Sequence, residues 1–200
     1  MALLYDTYYH IFNRGNNREK IFYTERNYQH FLNLYSKYIT PVADLFAYCL
    51  LKNHFHLLLR IKSETEIAEK STVNLNYLAE KSPSGHFSHF FNAYAKGINT
   101  ERGRTGSLFQ HPFGRIPITS DQQLWAVVAY IHQNPQKHHL VDDFRKWKHS
   151  SYHNIVSTQP SILEKSEVLE WFGGIDQYRL LHSEWVVDAK HKWSREYDHG

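Results

Sequence analysis

The sequence predicts an α+β fold of the ferredoxin-like type, in which helices cover one face of an antiparallel sheet. Three observations lead to this prediction. Two apolar strand-like segments are separated by only two residues, amphipathic helical segments precede and follow them, and the elements come in the order β-α-β-β-α-β-α. The first six elements of that order form the split βαβ arrangement. A chain of 200 residues with 42% hydrophobic residues is sufficient for one such domain.

The predicted domain begins with a strand and an amphipathic helix. Residues 7–13 are rich in aromatic and β-branched residues, and the turn-forming residues 14–17 follow them. Thr24 is a suitable N-cap for a helix over residues 25–38, in which apolar and aromatic side chains recur at helical spacing. Pro41 then ends the helical segment, because proline cannot continue a helix.

The centre of the domain is predicted to contain two adjacent strands. Residues 44–51 and 54–61 are both apolar and are joined by two residues. With so short a connection they form either an antiparallel hairpin or one long bent strand. Residues 62–85 are polar and lack a clear period, and we interpret them as an excursion from the sheet with some helix around 64–80.

The remaining part of the domain is predicted to contain a helix, a strand and a final helix. Residues 87–100 favour a helix, and residues 107–118 indicate a broken or edge strand because two prolines interrupt them. Ser120 is a suitable N-cap for a helix over residues 121–134, which has one apolar stripe. A residue before proline disfavours the helical conformation, so we expect this helix to end at or near Asn134.

Charge and composition separate the chain into two parts. We expect residues 1–145 to form one domain, the part that carries the candidate site residues, and residues 146–200 a helical C-terminal extension. Residues 1–150 contain 18 Lys and Arg against 12 Asp and Glu, whereas residues 151–200 contain 5 against 8. The basic part suits a phosphate-bearing partner. Cys49 is the single cysteine, and no stretch approaches the roughly 20 apolar residues of a membrane span. We therefore expect a cytoplasmic protein with no membrane partner.

The tripeptide His54-Phe55-His56 is a candidate metal site. Side chains alternate along a strand, so His54 and His56 point to the same face, about 7 Å apart along the chain. Neutral imidazoles at that spacing can converge on one divalent cation. The spacing alone leaves a second interpretation open, namely two surface histidines on a half-exposed strand.

Tyr130 and Asn134 are the second candidate pair. They are four residues apart and therefore neighbours on one face of the predicted helix. The carboxamide oxygen of asparagine can serve as a third neutral metal ligand, and a tyrosine near a metal is a candidate nucleophile at a phosphodiester. These two residues alone are also compatible with an ordinary amphipathic helix that ends at an Asn-Pro sequence.

Five segments, in their order and spacing, resemble one family of DNA transposases. The run AYCLLKNHFHLLLRI resembles the HUH motif (His, bulky hydrophobe, His) of IS200-like single-strand DNA transposases that use one catalytic tyrosine. The run YIHQNPQKHHLV resembles the tyrosine helix of the REP-associated tyrosine transposase branch. YHIFNRGNNREKIF, GSLFQHPFGRIPI and WKHSSYHNIV also match that branch, and the resemblance covers roughly residues 5–155.

The resemblance implies a metal-dependent single-strand DNA endonuclease and strand transferase that acts on hairpin-bearing repeat DNA. His54 and His56 would bind Mg²⁺ or Mn²⁺ together with Asn134. Tyr130 would attack a DNA phosphate and become linked to its 5′ end, and the released 3′-hydroxyl could later attack that linkage and join strands. In some relatives the tyrosine helix comes from a partner subunit, so a homodimer is left open.

Basic residues in or beside loops are expected to contact DNA phosphates. Five residues are predicted for this role: Arg14, Lys96, Arg102, Arg104 and Arg115. Three histidines on or just after the tyrosine helix could contact the metal or DNA, but we interpret them as solvent-exposed: His132, His138 and His139.

Alternatives remain for the nucleophile and for the function. Tyr94, on the preceding helix, is the second candidate nucleophile. The chain could also be a hairpin-binding module that no longer cuts DNA, although a pure binding protein has no need of all four candidate site residues. A further alternative is a phosphodiesterase that activates water, with Tyr130 in a structural role. A covalent protein–DNA adduct would distinguish this last alternative from a transposase.

Overall fold

The computed structural model describes residues 2–71 and 82–188, which form one four-stranded sheet and its surrounding helices. The strands are β1 (Tyr8–Arg14), β2 (Ala43–Leu50), β3 (His54–Ile61) and β4 (Gly114–Ile118). The helices are α1 (Glu25–Tyr38), α2 (Glu64–Ser71), α3 (Pro83–Arg102), α4 (Asp121–Lys137), α5 (Tyr152–Val156), α6 (Lys165–Phe172) and α7 (Ile175–Asp188).

The sheet has the strand order β2-β3-β1-β4, with every neighbouring pair antiparallel. This order confirms the predicted ferredoxin-like fold, and β2 and β3 form the hairpin rather than one bent strand. The bounds of β3 and α1 agree with those predicted. β4 is shorter than predicted and begins only at Gly114. Pro112 lies before it, and a proline cannot donate to a strand ladder.

Helices cover both faces of the sheet, whereas the sequence predicted one covered face. On the expected face, α1 and α3 pack against Phe55 through Phe31 and Phe91. On the other face, α4 and α6 reach the sheet, where Tyr130 meets the ring of His56 and Trp171 packs against Tyr8. The reason is visible in β3, which is buried along both of its alternating rows of side chains and so needs cover on both sides.

Helix α4 begins as predicted but extends further than predicted. Ser120 caps it and accepts a hydrogen bond from the Gln123 backbone N–H. The helix continues through Pro135 to Lys137 instead of ending near Asn134. Proline removes one helical hydrogen bond, but His138 N–H still donates to the Asn134 carbonyl at 2.9 Å. This hydrogen bond holds the last turn of the helix. It overrides the tendency of the residue before a proline to leave the helical conformation.

The C-terminal part of the described chain is helical and packs directly on the sheet domain. Helices α6 and α7 contact α4, and α6 also contacts β2. The division at residue 145 stays a prediction, and residues 189–200 lie outside the described residues. The predicted excursion begins with α2, and its remainder, 72–81, also lies outside them. Within the described residues, none of the helices is long and apolar enough to cross a membrane.

Candidate active site

His54 and His56 lie side by side on the face of the sheet that α4 covers. Their ring centroids are 5.3 Å apart and the rings are nearly perpendicular, at 87°. Both side chains are buried, with 8% and 4% of their surface exposed. The alternative of two surface histidines is therefore wrong, because α4 closes this face of the sheet.

A hydrogen bond orients the ring of His54. Its Nδ1 lies 2.7 Å from the Asn53 side-chain oxygen, which can only accept. Nδ1 therefore carries the proton, and in the neutral ring the lone pair is on Nε2. In metal-binding histidines, a hydrogen bond from the ring nitrogen that does not bind the metal fixes the tautomer and the orientation of the ring.

His10 on β1 orients the ring of His56 in the same way. His10 Nε2 lies 3.0 Å from His56 Nδ1, and the two rings stack with centroids 5.1 Å apart. The other nitrogen of His56, Nε2, is buried and has no hydrogen-bond partner among the described residues. A buried polar nitrogen left in this state costs free energy, on the order of 1–3 kcal/mol. In the tautomer in which His56 Nδ1 donates to His10 Nε2, His56 Nε2 carries the lone pair that a ligand would take.

Burial keeps these histidines neutral. It lowers the pKa of both His10 and His54 to about 3, and the nearby charges of His138 and Arg14 lower the pKa of His54 further. Burial also lowers the pKa of His56 well below its ordinary value. At neutral pH the imidazoles therefore offer lone pairs, which is the form that binds a metal.

Tyr130 and Asn134 lie one turn apart on α4, and Tyr130 meets the histidines. The Tyr130 ring stands edge-on to the rings of His10 and His56, with centroids 5.8 and 5.6 Å away. Asn134 is fully buried, and its Nδ2 donates to the Tyr130 carbonyl at 2.9 Å. That bond leaves Asn134 Oδ1 buried without a hydrogen-bond partner among the described residues.

A metal held at the two histidines would need the asparagine as a ligand, because a third ionisable ligand is not found among the described residues. Across residues 2–71 and 82–188, no group of three His, Cys, Asp or Glu side chains could hold a metal ion. The two unpartnered acceptors, His56 Nε2 and Asn134 Oδ1, belong to two of the three predicted ligands. The residues therefore fit a cation bound by two imidazoles and one carboxamide oxygen.

Two cations flank this group. Arg14 is paired with His54 in the strand register, and its charge lowers the pKa of that histidine. Lys137 Nζ lies 5.1 Å from the centroid of the Tyr130 ring. Of the five basic residues predicted to bind DNA, Arg14 is the one that the structure brings to the histidines. The site can thus accept a negatively charged group beside Tyr130.

The sequence did not reveal the roles of His10 and Lys137. Both could have been found from periodicity, because His10 shares a strand face with Arg14, and Lys137 lies two turns along the helix from Tyr130. Because the helix was predicted to end near Asn134, Lys137 was not expected on the same helix as Tyr130. His138 was expected in solvent, but its ring meets that of His54 at 4.7 Å.

Comparisons with known proteins identify the family and the fold. A family model described as "Transposase IS200 like" matches residues 3–134. The chain belongs to this family. A Haemophilus influenzae protein named as a REP-associated tyrosine transposase is 27% identical over 115 residues, which is 56% of this chain and 61% of that relative. A solved structure of a REP-associated tyrosine transposase bound to a REP hairpin has a TM-score of 0.58 at 16% identity, covering 81% of this chain and 87% of that chain. The similarity in structure shows a shared fold.

Two of the predicted DNA contacts, Lys96 and Arg104, line a groove of about 490 Å³. The groove lies between α3, on which Lys96 is exposed, and residues 104–111. The loop is attached to the end of β1, because Gln110 N–H donates to the Arg14 carbonyl at 2.9 Å. The groove and His54 therefore lie at the same end of the sheet.

Three of the predicted DNA contacts, Arg102, Arg104 and Arg115, have contacts within the chain. Arg104 forms an ion pair of 2.6 Å with Glu19. Arg102 and Arg115 each lie 4.5 Å from an aromatic ring centroid, that of Tyr23 and that of Phe113, respectively. The structure accounts for these three by contacts within the chain, and their role toward DNA stays a prediction.

The second candidate nucleophile, Tyr94, lies on the opposite side of the sheet from His54 and His56. It is fully buried, and its hydroxyl donates to the Ile21 carbonyl at 2.7 Å. Burial raises its pKa, which opposes formation of a phenolate. Its environment is that of a core residue.

Proposed function

We propose that this chain cleaves and rejoins single-stranded DNA, with Tyr130 as the nucleophile. The observation that carries the proposal is a pair of buried atoms without hydrogen-bond partners among the described residues. They are His56 Nε2, whose ring meets that of Tyr130, and Oδ1 of Asn134, one helical turn from Tyr130. A protein that only bound DNA would gain nothing from leaving two buried acceptors unsatisfied, since each costs free energy.

The reaction exchanges one phosphate ester for another. The Tyr130 hydroxyl oxygen attacks the phosphorus, the bond from phosphorus to the 3′-oxygen breaks, and the 3′-oxygen leaves as a hydroxyl after taking up a proton. The DNA 5′-phosphate is then linked to tyrosine. Because the number of ester bonds is unchanged, a 3′-hydroxyl can reverse the step and join strands without another energy source.

The chain's own residues supply both the metal ligands and positive charge. His54, His56 and Asn134 would hold Mg²⁺ or Mn²⁺, and such an ion polarises the phosphate and stabilises the charge that develops on it. Arg14 and Lys137 lie on the two sides of this group, where they can neutralise the non-bridging phosphate oxygens. Both histidines enter the reaction neutral, because burial lowers their pKa values.

We further propose that the substrate is a single strand next to a hairpin. A relative with the same fold was solved bound to a REP hairpin. In this chain, the groove with Lys96 adjoins the end of β1 that carries Arg14, so a strand lying in it can reach the site. Whether one chain or a homodimer acts is decided by measuring the mass of the active species.

Trapping a covalent adduct tests the proposed function. The protein is incubated with single-stranded DNA that contains a hairpin from the flanks of its own gene, with Mg²⁺ or Mn²⁺. We expect a protein–DNA species that survives denaturation and disappears when a chelator is added first. Binding without cleavage would favour the hairpin-binding module. Cleavage without an adduct would favour the phosphodiesterase that activates water.

DNA affinity should fall steeply as salt concentration rises, and Lys96 should contribute to this dependence. Each phosphate neutralised on a single strand adds roughly 0.7 to the slope of log affinity against log salt concentration. Lys96→Ala should therefore reduce the slope by about that amount, measured by fluorescence anisotropy over a range of salt concentrations.

Lys37→Ala is the matched control for that measurement. Lys37 lies in the last turn of α1, toward the sheet end where β2 begins and β3 ends, opposite the end that carries His54. We expect this variant to keep the wild-type slope. Equal slopes for the wild type and Lys96→Ala would show that bound DNA does not lie in the groove.

A further inference from the structure

Two fully buried histidines join the tyrosine helix to the last described helix. His132 lies on α4, and its ring stacks on that of His182 of α7, with centroids 5.1 Å apart. His132 was expected in solvent, and that expectation is wrong because α7 covers it. The pair is enclosed by four aromatic rings, those of Phe144, Tyr152, Phe172 and Tyr178.

The hydrogen bonds of this pair run in one defined direction. The Tyr178 carbonyl only accepts, so His182 Nδ1, at 2.7 Å, must donate to it. Burial keeps both rings neutral, lowering the pKa of His182 to about 4 and that of His132 well below its ordinary value. His182 Nε2 therefore accepts a hydrogen bond from His132 Nδ1 at 2.9 Å.

The chain of hydrogen bonds continues from His132 to the sheet. His132 Nε2 accepts from the Ser151 hydroxyl at 2.7 Å, and Ser151 Oγ accepts from the Tyr48 backbone N–H at 2.8 Å. A second contact reinforces the connection to α7, since Gln133 Nε2 donates to the His182 carbonyl at 2.9 Å. The bonds thus link β2, α4 and α7.

Such a connection determines the rotation of α4. Apolar packing alone tolerates small sliding and rotation, whereas buried directional hydrogen bonds are satisfied in one arrangement. His132 lies two residues from both Tyr130 and Asn134, so a rotation that broke its bonds would also move both groups. The same helix has already lost one backbone hydrogen bond at Pro135.

We infer that His182 is a positioning residue, which through His132 holds α4 in the rotation that presents Tyr130 and Asn134 to the histidines of β3. The inference rests on the proposed function. It also assigns a role to the C-terminal helices, which contribute none of the candidate ligands or the nucleophile.

Two substitutions of the same residue separate positioning from packing. His182→Gln keeps an acceptor for His132 and a donor for the Tyr178 carbonyl. His182→Phe suits the aromatic surroundings but cannot accept a hydrogen bond. Phe172→Leu is the control, because it removes packing against the same imidazole and leaves the hydrogen bonds intact.

Three quantities are measured at a temperature where every variant is folded, as judged by thermal unfolding. The first is the single-turnover rate of adduct formation at saturating hairpin DNA with Mn²⁺. The second is the affinity for that DNA. The third is hydrogen–deuterium exchange of residues 124–134 in the protein alone, which reports on α4 without any reaction.

We expect His182→Phe to lower the saturating rate roughly 10–100-fold, because a displacement of about 1 Å at a catalytic group can cost that much. DNA affinity should be unchanged, and exchange in residues 124–134 should increase. His182→Gln should recover most of the rate and the exchange protection. Phe172→Leu should lower the melting temperature and leave the saturating rate close to that of the wild type.

The inference is overturned if Phe172→Leu lowers the saturating rate of adduct formation as much as His182→Phe does at equal destabilisation. It is also overturned if His182→Gln recovers neither the rate nor the exchange protection. Unchanged exchange of α4 in His182→Phe would also overturn it. A wild-type protein that forms no adduct would count against the proposed function alone, because the exchange measurement on the three variants still tests whether His182 holds α4.

Discussion

Tyr130→Phe is expected to abolish the covalent adduct and strand joining while leaving the fold, metal binding and DNA binding intact. The substitution removes one oxygen and keeps the ring, so the edge-on contacts with His10 and His56 persist. The hydroxyl is the only atom that the proposed reaction takes from this residue. Its loss therefore removes the nucleophile and little else.

The expected effect is large because the remaining groups cannot replace the hydroxyl. A free tyrosine has a pKa of about 10 and is a weak nucleophile at neutral pH, so the surrounding positive charge matters only while the oxygen is present. Lys137, whose Nζ lies 5.1 Å from the ring centroid, and a cation held by His54, His56 and Asn134 would stabilise charge on that oxygen or on the phosphate. Neither forms a bond to phosphorus.

The measurement is a denaturing gel of protein incubated with labelled hairpin DNA, beside a binding assay on the same samples. Tyr94→Phe is the matched control, since it makes the same chemical change at a buried core tyrosine on the other side of the sheet. We expect that variant to form the adduct. An adduct with Tyr130→Phe would assign the nucleophile to another residue, and cleavage without an adduct would favour activated water.

His56→Ala is expected to have the second largest effect, loss of metal binding together with metal-dependent cleavage. His56 Nε2 is buried and unpartnered, while the opposite ring nitrogen is held by His10. Removing the ring deletes the ligand and leaves a buried cavity beside Tyr130. Metal-dependent cleavage should fall by more than the roughly 10–100-fold reduction that follows when a residue that only orients a ligand is removed.

A graded series makes this prediction specific. His10→Ala should reduce metal-dependent cleavage about 10–100-fold, because it releases the ring of His56 without removing a proposed ligand. Asn134→Ala should reduce metal-dependent cleavage and leave DNA binding largely intact, because it removes the unpartnered carboxamide oxygen. His30→Ala, on α1 beside Tyr94, should have no effect on cleavage.

Calorimetric titration with Mn²⁺ and the metal dependence of adduct formation give the two readouts of this series. Each variant is first checked by circular dichroism and thermal unfolding. If His56→Ala binds Mn²⁺ as tightly as the wild type does, His56 is not a metal ligand. Equal loss of DNA binding and cleavage in Asn134→Ala would instead indicate that this residue holds the end of α4 together.

Part of the site could be predicted because it depends on short-range periodicity. His54 and His56 share a strand face through a period of two, and Tyr130 and Asn134 share a helix face through a period near four. These relations do not depend on the rest of the fold. The prediction that they meet came from the resemblance to IS200-like transposases, since nothing in the spacing relates residue 56 to residue 130.

Long-range contacts could not be predicted from the sequence. His10 is 46 positions from the histidine that it orients, and His132 is 50 positions from His182. Both were found only once strand pairing and helix packing brought them together. The exposure predicted for His132 and His138 was wrong for the same reason, because burial depends on which element covers a residue.

The sequence by itself determined the element order and the ferredoxin-like fold, because local hydrophobic patterns and turn residues encode them. The four candidate site residues were predicted from their spacing together with the family resemblance. Only the tertiary structure decided that helices cover both faces of the sheet, that α4 continues past Pro135, and which acceptors are left unpartnered. Hydrogen-bond partners and burial are properties of the packed chain, and packing contacts between distant residues overrule local preference wherever the two conflict.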